Sequence, residues 1–535
     1  MMVRSIRPFS PLTLSIAVLF IINLYYFSTR FGLDPLSALD AAETILEDDS
    51  PEPSDATHNI RPPPPPISPQ PDIAPTRPTP VAAPSSAPAG DAQVDIASLP
   101  AIYHPDPHET GSDKKWCETR YGPTYLETLA KNARPYCTES SRSQFDCMHS
   151  VMQGESRRDS FCLAQNVAWD DRRFNIDCEL RDWNEPDLQG IPQMNAFNTY
   201  WYDTGPRNIL TQFVNFGSEA APWFDKNACA DSSTPRDDSY KVLIKREGGT
   251  NYWHSLMEIF SFYFSIDALQ MAINKKTGKP YMSPEDTAKI QVLILDKHDN
   301  KNYFELWNLF ADKPVQTLPE WASSKHAACL NNVIIPLPGA SNPLWQGDWD
   351  PRNCDHSVIV DTLRTRILSH LKIPTDRDLR KPLNLTFIDR KGSRKLSNSA
   401  DLTAELIKAY PKINVNIVDM AKLTLREQIN IVAHTDVLVG VHGAGHTHGF
   451  FLPAQSSVVE ILPIDLKHKG FRNLAALRGL RYFSDHAPFT PSDVPDGQRD
   501  WHEEDVVFDK RAFMKLVDAA IQSVAHRGYL DEDVS

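Results

Sequence analysis

The feature that most constrains this chain is a long uncharged segment near its N-terminus. Residues 8–29 are 22 consecutive residues without a charged side chain, and most of them are apolar. About 20 such residues cross the hydrocarbon core of a bilayer. Arg4 and Arg7 precede the segment and acidic residues follow it, an asymmetry that keeps the N-terminus in the cytosol. We therefore predict a cytosolic tail at residues 1–7 and a transmembrane signal anchor at residues 8–29. A cleaved signal peptide is the alternative, which the length of the segment disfavours.

A proline-rich segment follows the predicted anchor. Fifteen of the 43 prolines lie between Pro51 and Pro100, where aromatic residues are scarce. Such a sequence cannot bury enough apolar surface to offset its ordering entropy, and proline keeps it extended. We expect residues 30–100 to form a disordered stem. The resulting expectation is a single-pass type II protein of the Golgi or ER membrane, whose folded part lies in the lumen.

Charge and cysteine content narrow the class further. The net charge of −14 disfavours nucleic-acid binding, which needs basic surface to displace counterions. All eight cysteines lie beyond the predicted anchor. In an oxidising lumen most of them should be paired, although the sequence does not give the connectivity. Because no CxxC pair occurs, a zinc ribbon is excluded.

From about residue 101 the sequence alternates strand and helix patterns. The runs KVLIK at residues 241–245, QVLIL at 291–295 and LNLTFID at 383–389 predict buried strands. Strands separated by helices are typical of α/β folds with parallel sheets. Residues 101–375 are predicted to form an N-terminal lobe that bears the disulfides, and residues 376–535 a C-terminal lobe.

A glycine-rich turn follows the strand predicted at residues 436–441. It consists of His442, Gly443, Ala444 and Gly445, and a short helix is predicted after it. Glycine lets another group approach the main chain closely, and free N–H groups at a helix start can bind a diphosphate. Ligands of open α/β folds also bind beyond the carboxyl ends of parallel strands. We therefore expect a phosphate-binding turn, although a turn that needs glycine only for sharpness has the same pattern.

Four cations follow the strand predicted at residues 383–389. They are Arg390, Lys391, Arg394 and Lys395. In an acidic protein such a cluster at a strand end favours an anion site, and arginine supplies a planar fork suited to phosphate. A solvated basic loop is the alternative.

The helix predicted at residues 253–271 begins after a Gly-Gly break. Thr250 or Asn251 is a candidate cap for this helix. His254 and Glu258 are four residues apart, so they share one face of it. A histidine and a carboxylate at a helix start can act as a general base. A surface ion pair above an aromatic core is the alternative.

Two further patterns suggest a metal only weakly. His442, His446 and His448 lie close in sequence, but neither H-E-x-x-H nor a neighbouring carboxylate completes a ligand set. Asp348 and Asp350 form a D-x-D pattern in a loop that no predicted strand precedes. We expect no metal site at either place.

Taken together, these segments resemble glycosyltransferase family 61. That family includes lumenal O-GlcNAc transferases acting on EGF-like domains, the branch this chain resembles most, and plant xylan-decorating transferases. One departure is His446, where the family usually has an apolar residue. The resemblance covers about residues 240–465 and rests on Asn251, His254 and Glu258, on Arg390, Arg394 and Asn398, and on His442, Gly443, Ala444 and Gly445 followed by Phe451, Pro453, Val459 and Glu460.

The resemblance implies a GT-B fold of two Rossmann-like lobes with parallel sheets, a nucleotide-sugar donor and inversion at the anomeric carbon. Arg390, Arg394 and the turn at residues 442–445 would then hold the diphosphate of the donor. Glu460 would accept hydrogen bonds from the ribose. No cofactor is expected beyond the UDP-sugar, and stimulation by manganese stays open.

On the acceptor side, His254 or Glu258 would deprotonate a hydroxyl, with Asn251 nearby. The expected activity is the transfer of GlcNAc or xylose from a UDP-sugar to a glycoprotein or glycan. Two alternatives stay open: a metal-dependent transferase that uses Asp348 and Asp350, and a non-catalytic lectin-like or adhesion protein presented on the stem.

Overall fold

A computed structural model describes residues 96–103, 114–152, 157–226, 229, 231, 233–248, 251–301, 303–323, 329–375, 381–495 and 498–526. The predicted tail, the predicted anchor and nearly all of the predicted stem lie outside these residues. Among the helices of the described ranges, none combines the length and the apolarity needed to cross a bilayer. All described residues belong to one unit, Ala89–Ser535.

The helices of the described ranges are α1 Lys114–Tyr121, α2 Pro123–Lys131, α3 Pro206–Phe213, α4 Ala221–Lys226, α5 Tyr252–Met271, α6 Leu318–Ser323, α7 Val358–His370, α8 Ser399–Ala409, α9 Leu425–Ala433, α10 Gly470–Leu477 and α11 Lys510–Ala525. The strands are β1 Arg134–Pro135, β2 Gln144–His149, β3 Ser160–Trp169, β4 Phe174–Ile176, β5 Val214–Phe216, β6 Asp237–Ile244, β7 Ile273–Asn274, β8 Lys279–Pro280, β9 Ile290–Ile294, β10 Gln316–Thr317, β11 Cys329–Ile335, β12 Asn384–Ile388, β13 Asn414–Val418, β14 Val437–Val441, β15 Ser457–Pro463 and β16 Arg481–Ala487. This is the mixed α/β architecture that the alternating sequence pattern predicts.

The first sheet is mixed, with strand order β1-β2-β3-β11-β6-β9-β10 and with β4 and β5 attached beside β3. Strands β11, β6, β9 and β10 run parallel to one another. Strands β1, β2, β3 and β11 pair antiparallel. The expectation of a parallel, Rossmann-like N-terminal lobe therefore holds for only part of this sheet. Only residues 150–159 separate β2 from β3, too few for the crossover that a parallel pair requires.

The second sheet is entirely parallel, with strand order β13-β12-β14-β15-β16. In chain order this is 2-1-3-4-5, a doubly wound arrangement. The direction of winding reverses between β12 and β14, so the connections after these two strands diverge. The crevice left at such a switch point is where open α/β sheets bind ligands. Both turns that the sequence singles out, the basic one and the glycine-rich one, follow these two strands.

Helix α5 is buried along nearly its whole length. Its aromatic and aliphatic side chains point in all directions, a composition typical of a central helix rather than a surface one. It packs against α2 of the first half of the chain and against the 3₁₀ helix Ala444–Phe451 that follows β14. The start of α5 is therefore held close to the carboxyl end of the second sheet.

All eight cysteines are paired in the structure. The four disulfides are Cys117–Cys354, Cys137–Cys178, Cys147–Cys162 and Cys229–Cys329. The prediction that most cysteines would be paired is confirmed, and all of them lie in the first 354 residues, the lobe predicted to carry them.

The last residues of the segment predicted as stem, residues 96–100, are among those described. Ile96 forms a β-bridge with Ala272, and the Ala97 N–H donates to the Met271 carbonyl at 2.8 Å. These residues therefore have backbone partners in the α/β part of the chain.

Candidate active site

The four cations after β12 divide into two pairs. Lys391 and Lys395 are exposed, and each forms an ion pair with an aspartate, at 2.6 and 3.2 Å. Arg390 and Arg394 are half-buried and turn toward the glycine-rich turn. Burial lowers the pKa of the Arg390 guanidinium, and no carboxylate in the described ranges pairs with it. A cation in such a position is stabilised by a bound anion. Lys391 and Lys395 are thus solvated, whereas Arg390 and Arg394 lie beside Gly443, where a ligand could reach them.

Gly443 is the point at which the two turns meet. Its φ of +150° is rarely adopted by residues with a side chain. A Cβ built on it would lie 2.2 Å from Nη1 of Arg390 and 3.5 Å from Cζ of Arg394. Glycine is therefore favoured here both by the backbone angle and by the approach of the Arg390 guanidinium, which a Cβ would displace. The functional interpretation of this turn is favoured over one in which glycine serves sharpness alone.

His442 is held by a buried carboxylate. Its Nδ1 lies 2.5 Å from Oε1 of Glu460, and the Tyr482 hydroxyl donates to Oε2 at 2.5 Å. Burial by itself raises the pKa of Glu460, but the hydrogen bonds from His442 and Tyr482 outweigh it and bring the pKa to about 2. Burial lowers the pKa of His442 to about 4. At neutral pH a neutral imidazole therefore donates to an ionised carboxylate.

Glu460 was predicted to accept hydrogen bonds from the ribose, but its oxygens have partners within the protein. Its side chain is buried, it lies in the middle of β15 rather than at a strand end, and both its oxygens already accept hydrogen bonds. Glu460 therefore orients His442 from within the sheet, as a carboxylate does behind a functional imidazole.

The two other histidines of this segment face the interior. Nε2 of His446 lies 3.3 Å from the Val459 carbonyl, and Nδ1 of His448 lies 3.2 Å from the Gly445 carbonyl. Burial lowers the pKa of both imidazoles, that of His448 to about 4. Within the described ranges no group of three ligand-type side chains is arranged to hold a metal ion.

The two aspartates of the D-x-D pattern have separate partners. Oδ2 of Asp348 lies 3.1 Å from Nε2 of His468, in the loop after β15. Asp350 is exposed and pairs with Arg352 at 3.4 Å. The two side chains make different contacts, so their close spacing in sequence does not produce a shared ligand set.

The start of helix α5 is capped by Asn251. Its side-chain oxygen accepts a hydrogen bond from the Trp253 N–H at 2.9 Å. Asn251 is thus the cap, one of the two predicted for this helix; Thr250 lies outside the described residues. The cap fixes the direction of the first turn, which carries His254.

His254 pairs with a carboxylate that the sequence pattern did not single out. Its Nδ1 lies 3.4 Å from Oε2 of Glu247, at the end of the strand before the helix. The predicted partner, Glu258, instead accepts a hydrogen bond from the Glu247 N–H at 2.6 Å. Residues four apart share a helix face, but the side chain of Glu258 is buried while that of His254 is 19% exposed. The expected His254–Glu258 pair is replaced by a His254–Glu247 pair.

Aromatic rings connect the two parts of the site. Phe471, at the start of α10, lies 5.4 Å from the ring of His442 and 5.5 Å from that of Trp253, the neighbour of His254. His442 also lies 5.1 Å from His468 and 5.6 Å from Trp501. Phe471 therefore connects the turn at residues 442–445 with Trp253 at the start of α5.

Sequence reasoning missed several of these residues. Glu247 lies in the segment REGGTNYWH, and its position between a buried strand and a Gly-Gly break is a signal that could have identified it. Tyr482, His468 and Trp501 come from elements far along the chain. Because only the fold brings them to the site, no local pattern identifies them.

Fold and site together define the class. The molecule is an α/β protein whose second sheet is parallel and doubly wound, with two arginines and a glycine turn at the switch point of that sheet. Comparison with known proteins indicates a family. Residues 252–459 match the family model described as glycosyltransferase 61, so this part of the chain is similar to that family and the match supports a glycosyltransferase. The resemblance seen in the sequence is confirmed.

Several characterised relatives carry the name EGF domain-specific O-linked N-acetylglucosamine transferase. The protein from Drosophila melanogaster is 24% identical over 430 residues, which cover 75% of this chain and 75% of that protein. Those from Pan troglodytes and Gallus gallus are 25% and 26% identical, over 45% of this chain and 44% and 43% of theirs. The chain thus spans less than half the length of these vertebrate relatives. The match to the fly protein extends well beyond residues 240–465, on which the resemblance rests.

Proposed function

We propose that this chain transfers N-acetylglucosamine from UDP-GlcNAc to a hydroxyl of a protein acceptor, with inversion at the anomeric carbon, on a GT-B architecture. The observation that carries the proposal is the convergence of Arg390 and Arg394 on Gly443 at the switch point of the parallel sheet. The names of the relatives supply the sugar and an EGF-like domain as the first acceptor to test. UDP-xylose is the second donor to test.

The donor side would act on the leaving group. Two guanidinium groups can form charge-assisted hydrogen bonds with diphosphate oxygens, and the 3₁₀ helix Ala444–Phe451 begins at the same turn, where N–H groups face outward. As the bond from the anomeric carbon to the diphosphate oxygen breaks, negative charge grows on the diphosphate. Fixed positive charge beside it lowers the barrier without a metal.

The acceptor side would supply the base. His254 stands at the start of α5 with a partly exposed ring, and its Nδ1 is directed at a carboxylate. A neutral imidazole whose Nδ1 carries a proton has Nε2 available to accept one. In an inverting transfer this base takes the proton of the acceptor hydroxyl while the oxygen attacks the face opposite the diphosphate.

The direct test is UDP binding by the full-length protein in detergent, measured by titration calorimetry. Arg394→Ala should weaken binding by about 2–3 kcal/mol, the scale of hydrogen bonds to a charged group. Lys391→Ala is the matched control, since it removes a cation from the same loop but one that faces solvent. Equal affinity of wild type and Arg394→Ala would reject the assignment of this turn to the diphosphate.

The same measurement separates the alternatives. UDP affinity that depends on manganese and is lost in Asp348→Asn and Asp350→Asn would favour a D-x-D transferase. A protein that binds glycans but no nucleotide would be lectin-like. No contact in the described ranges favours either one: the aspartates make separate pairs.

The proposal extends to the compartment. The apolar segment at residues 8–29 and its flanking charges support a type II protein of the Golgi or ER membrane. Complete pairing of the eight cysteines supports an oxidising lumen. In intact microsomes everything beyond about residue 30 should resist added protease, by the same charge rule. Digestion of the C-terminal part without detergent would contradict this topology.

A further inference from the structure

Glu247 is a buried carboxylate whose two oxygens have different surroundings. Its side chain is completely buried. Oε1 accepts a hydrogen bond from the Ala340 N–H at 3.2 Å, which fixes the carboxylate plane. Oε2 has no hydrogen bond within the geometric limits and lies 3.4 Å from Nδ1 of His254. Among the described residues, the imidazole of His254 lies near enough to satisfy this oxygen with a small adjustment of either ring or carboxylate.

Glu258 lies directly behind this pair. Its Oε1 accepts the Glu247 N–H at 2.6 Å, and the loop at Gly339 packs so closely that a Cβ there would lie 2.7 Å from Cγ of Glu258 and 3.2 Å from Oε1 of Glu247. Two carboxyl groups enclosed this tightly are costly to ionise together. Burial raises the pKa of both groups, and the charge of Glu247 raises that of Glu258 further, well above its ordinary value.

We propose that Glu247 is the positioning residue of the general base, and that Glu258 holds it in place from behind by accepting its backbone N–H. The inference rests on the proposed function, which supplies the reaction. Glu247 accepts a hydrogen bond from Nδ1–H of His254, so the imidazole has the tautomer whose Nε2 is unprotonated. The carboxylate is then opposite the positive charge that the ring acquires during the reaction.

The transfer step balances with these groups. The acceptor O–H bond breaks and its proton goes to Nε2 of His254. The oxygen's electron pair forms the new bond to the anomeric carbon, while the bond from that carbon to the diphosphate oxygen breaks and its electron pair leaves with UDP. Glu247 gains no proton; its negative charge stabilises the imidazolium.

Among the described residues, Glu247 is the charged group within ion-pair distance of His254, and aromatic rings lie near this imidazole. The rings of Trp345 and Tyr202 lie 4.2 and 6.0 Å from the imidazole. Behind Glu258, Arg246 and Asp296 form a buried ion pair at 2.8 Å, so their charges largely offset each other. A change in the charge of Glu247 should therefore displace the pH–rate profile of the reaction.

The experiment compares Glu247→Gln, Glu247→Asp and Glu258→Gln in full-length protein, with UDP-GlcNAc and a recombinant EGF-like domain as probes. In Glu247→Gln the amide can still accept the Ala340 N–H but presents N–H groups to Nδ1, so it favours the other imidazole tautomer. The kcat should fall by about 100-fold or more, the scale of general-base catalysis, with the acid limb of the pH–rate profile displaced to lower pH and KM for UDP-GlcNAc unchanged.

Two variants test whether the effect is specific. Glu247→Asp keeps the charge and should recover part of the lost turnover. Glu258→Gln keeps an oxygen that can accept the Glu247 N–H and should cost less than about 10-fold, far below a base removal. The exposed Glu219→Gln is the control for a glutamate change elsewhere. A kcat loss in Glu247→Gln without any displacement of the pH profile would show a merely structural role and overturn the proposal.

A second measurement does not depend on activity. In protein labelled with ¹⁵N-histidine, the His254 signal, assigned with His254→Ala, should show a protonated Nδ1 that is lost in Glu247→Gln. If the wild type transfers no sugar but keeps this tautomer, the proposed function fails while the positioning role of Glu247 stands. If the tautomer is the same in wild type and Glu247→Gln, the positioning role fails whatever the activity.

Discussion

At the scale of single residues, the glycine-rich turn at residues 442–445 depends on the absence of a side chain at Gly443. Gly443→Ala would place a Cβ 2.2 Å from Nη1 of Arg390 at a φ of +150°. Either the backbone or the arginine must move. We expect UDP affinity to fall at least about 10-fold, because a misplaced guanidinium loses about one charge-assisted hydrogen bond, and calorimetry would measure it.

Gly392→Ala is the control for this change. Gly392 lies in the same basic loop, but a Cβ built there has no atom within 4 Å and its φ is not positive. It should bind UDP like the wild type. Should Gly443→Ala also bind normally, the approach of Arg390 to the turn would not be needed for the nucleotide, and the donor site would lie elsewhere.

His254 and Glu460 show how far single residues could be predicted from the sequence. His254 was predicted as a candidate base from its place at a helix start. Its carboxylate partner Glu247 was not predicted, because a spacing of four describes neighbours on a helix surface and this helix is buried. In a buried helix the neighbouring loop decides which carboxylate meets the imidazole. Glu460 is a similar case: a carboxylate near a strand end in sequence lies mid-strand, with both oxygens engaged.

At the scale of elements, the 3₁₀ helix Ala444–Phe451 combines a polar turn with a buried aromatic environment. His448 lies with its ring 5.1 Å from that of Tyr252 and 5.8 Å from that of Tyr303. Burial lowers its pKa from 6.5 to about 4. Below pH 6.5 the His448 side chain is therefore protonated in the unfolded chain, whereas in the folded chain it stays neutral down to about pH 4. The stability that is present above pH 6.5 is consequently lost as the pH falls through this window.

The resulting prediction concerns acid stability. Between pH 6.5 and 5 this histidine should cost on the order of 2 kcal/mol, since one pKa unit corresponds to about 1.4 kcal/mol. His448→Phe keeps a ring but cannot titrate, so its melting temperature should fall less between pH 7 and pH 5 than that of the wild type. The exposed His370→Gln serves as control. An unchanged pH dependence in His448→Phe would mean that this imidazole is protonated in the folded state.

Much of the element pattern could be predicted because strands and helices leave a periodic signal. The strands predicted at residues 241–245, 291–295 and 383–389 are present as β6, β9 and β12. The strands β1–β5 were not predicted: β1, β4 and β5 have only two or three residues, and β3 pairs with β11 far along the chain. Likewise, Arg390 and Arg394 lie close to Gly443 because β12 and β14 are neighbours in the sheet. The sequence implies this strand order only through its alternation of strands and helices.

At the scale of the whole molecule, one disulfide connects distant parts of the chain. Cys117 in α1 and Cys354 before α7 are 237 residues apart, whereas Cys147 and Cys162 join the paired strands β2 and β3 across 15 residues. A crosslink that closes a longer loop removes more entropy from the unfolded chain. We therefore expect Cys117→Ser with Cys354→Ser to lower the free energy of unfolding by roughly 2–5 kcal/mol.

The shorter bridge provides the comparison. Cys147→Ser with Cys162→Ser should lower the free energy of unfolding by about 2.4 kcal/mol less, on the same loop-length argument. Thermal unfolding of both double variants at one pH measures the difference. A larger loss from the shorter bridge would show that packing of the buried sulfurs, rather than the constraint on the unfolded chain, dominates. Mass spectrometry of the unreduced protein should also find no free thiol.

The last prediction concerns the loop that carries the D-x-D pattern and joins the two halves of the molecule. Asp348 lies between β11 and α7, yet its carboxylate pairs with His468 beyond β15, and His468 lies 5.1 Å from His442. We therefore expect Asp348 to act through His468 and not through a metal. A chelator should leave UDP affinity unchanged, Asp350→Asn should behave like the wild type, and Asp348→Asn should weaken UDP binding by a few-fold, the scale of about one neutral hydrogen bond. Calorimetry with and without EDTA or manganese measures all three. If EDTA abolished binding, manganese restored it, and both aspartate variants lost that response equally, the two carboxylates would be metal ligands, and the charge beside the diphosphate would come from the ion instead of from Arg390 and Arg394.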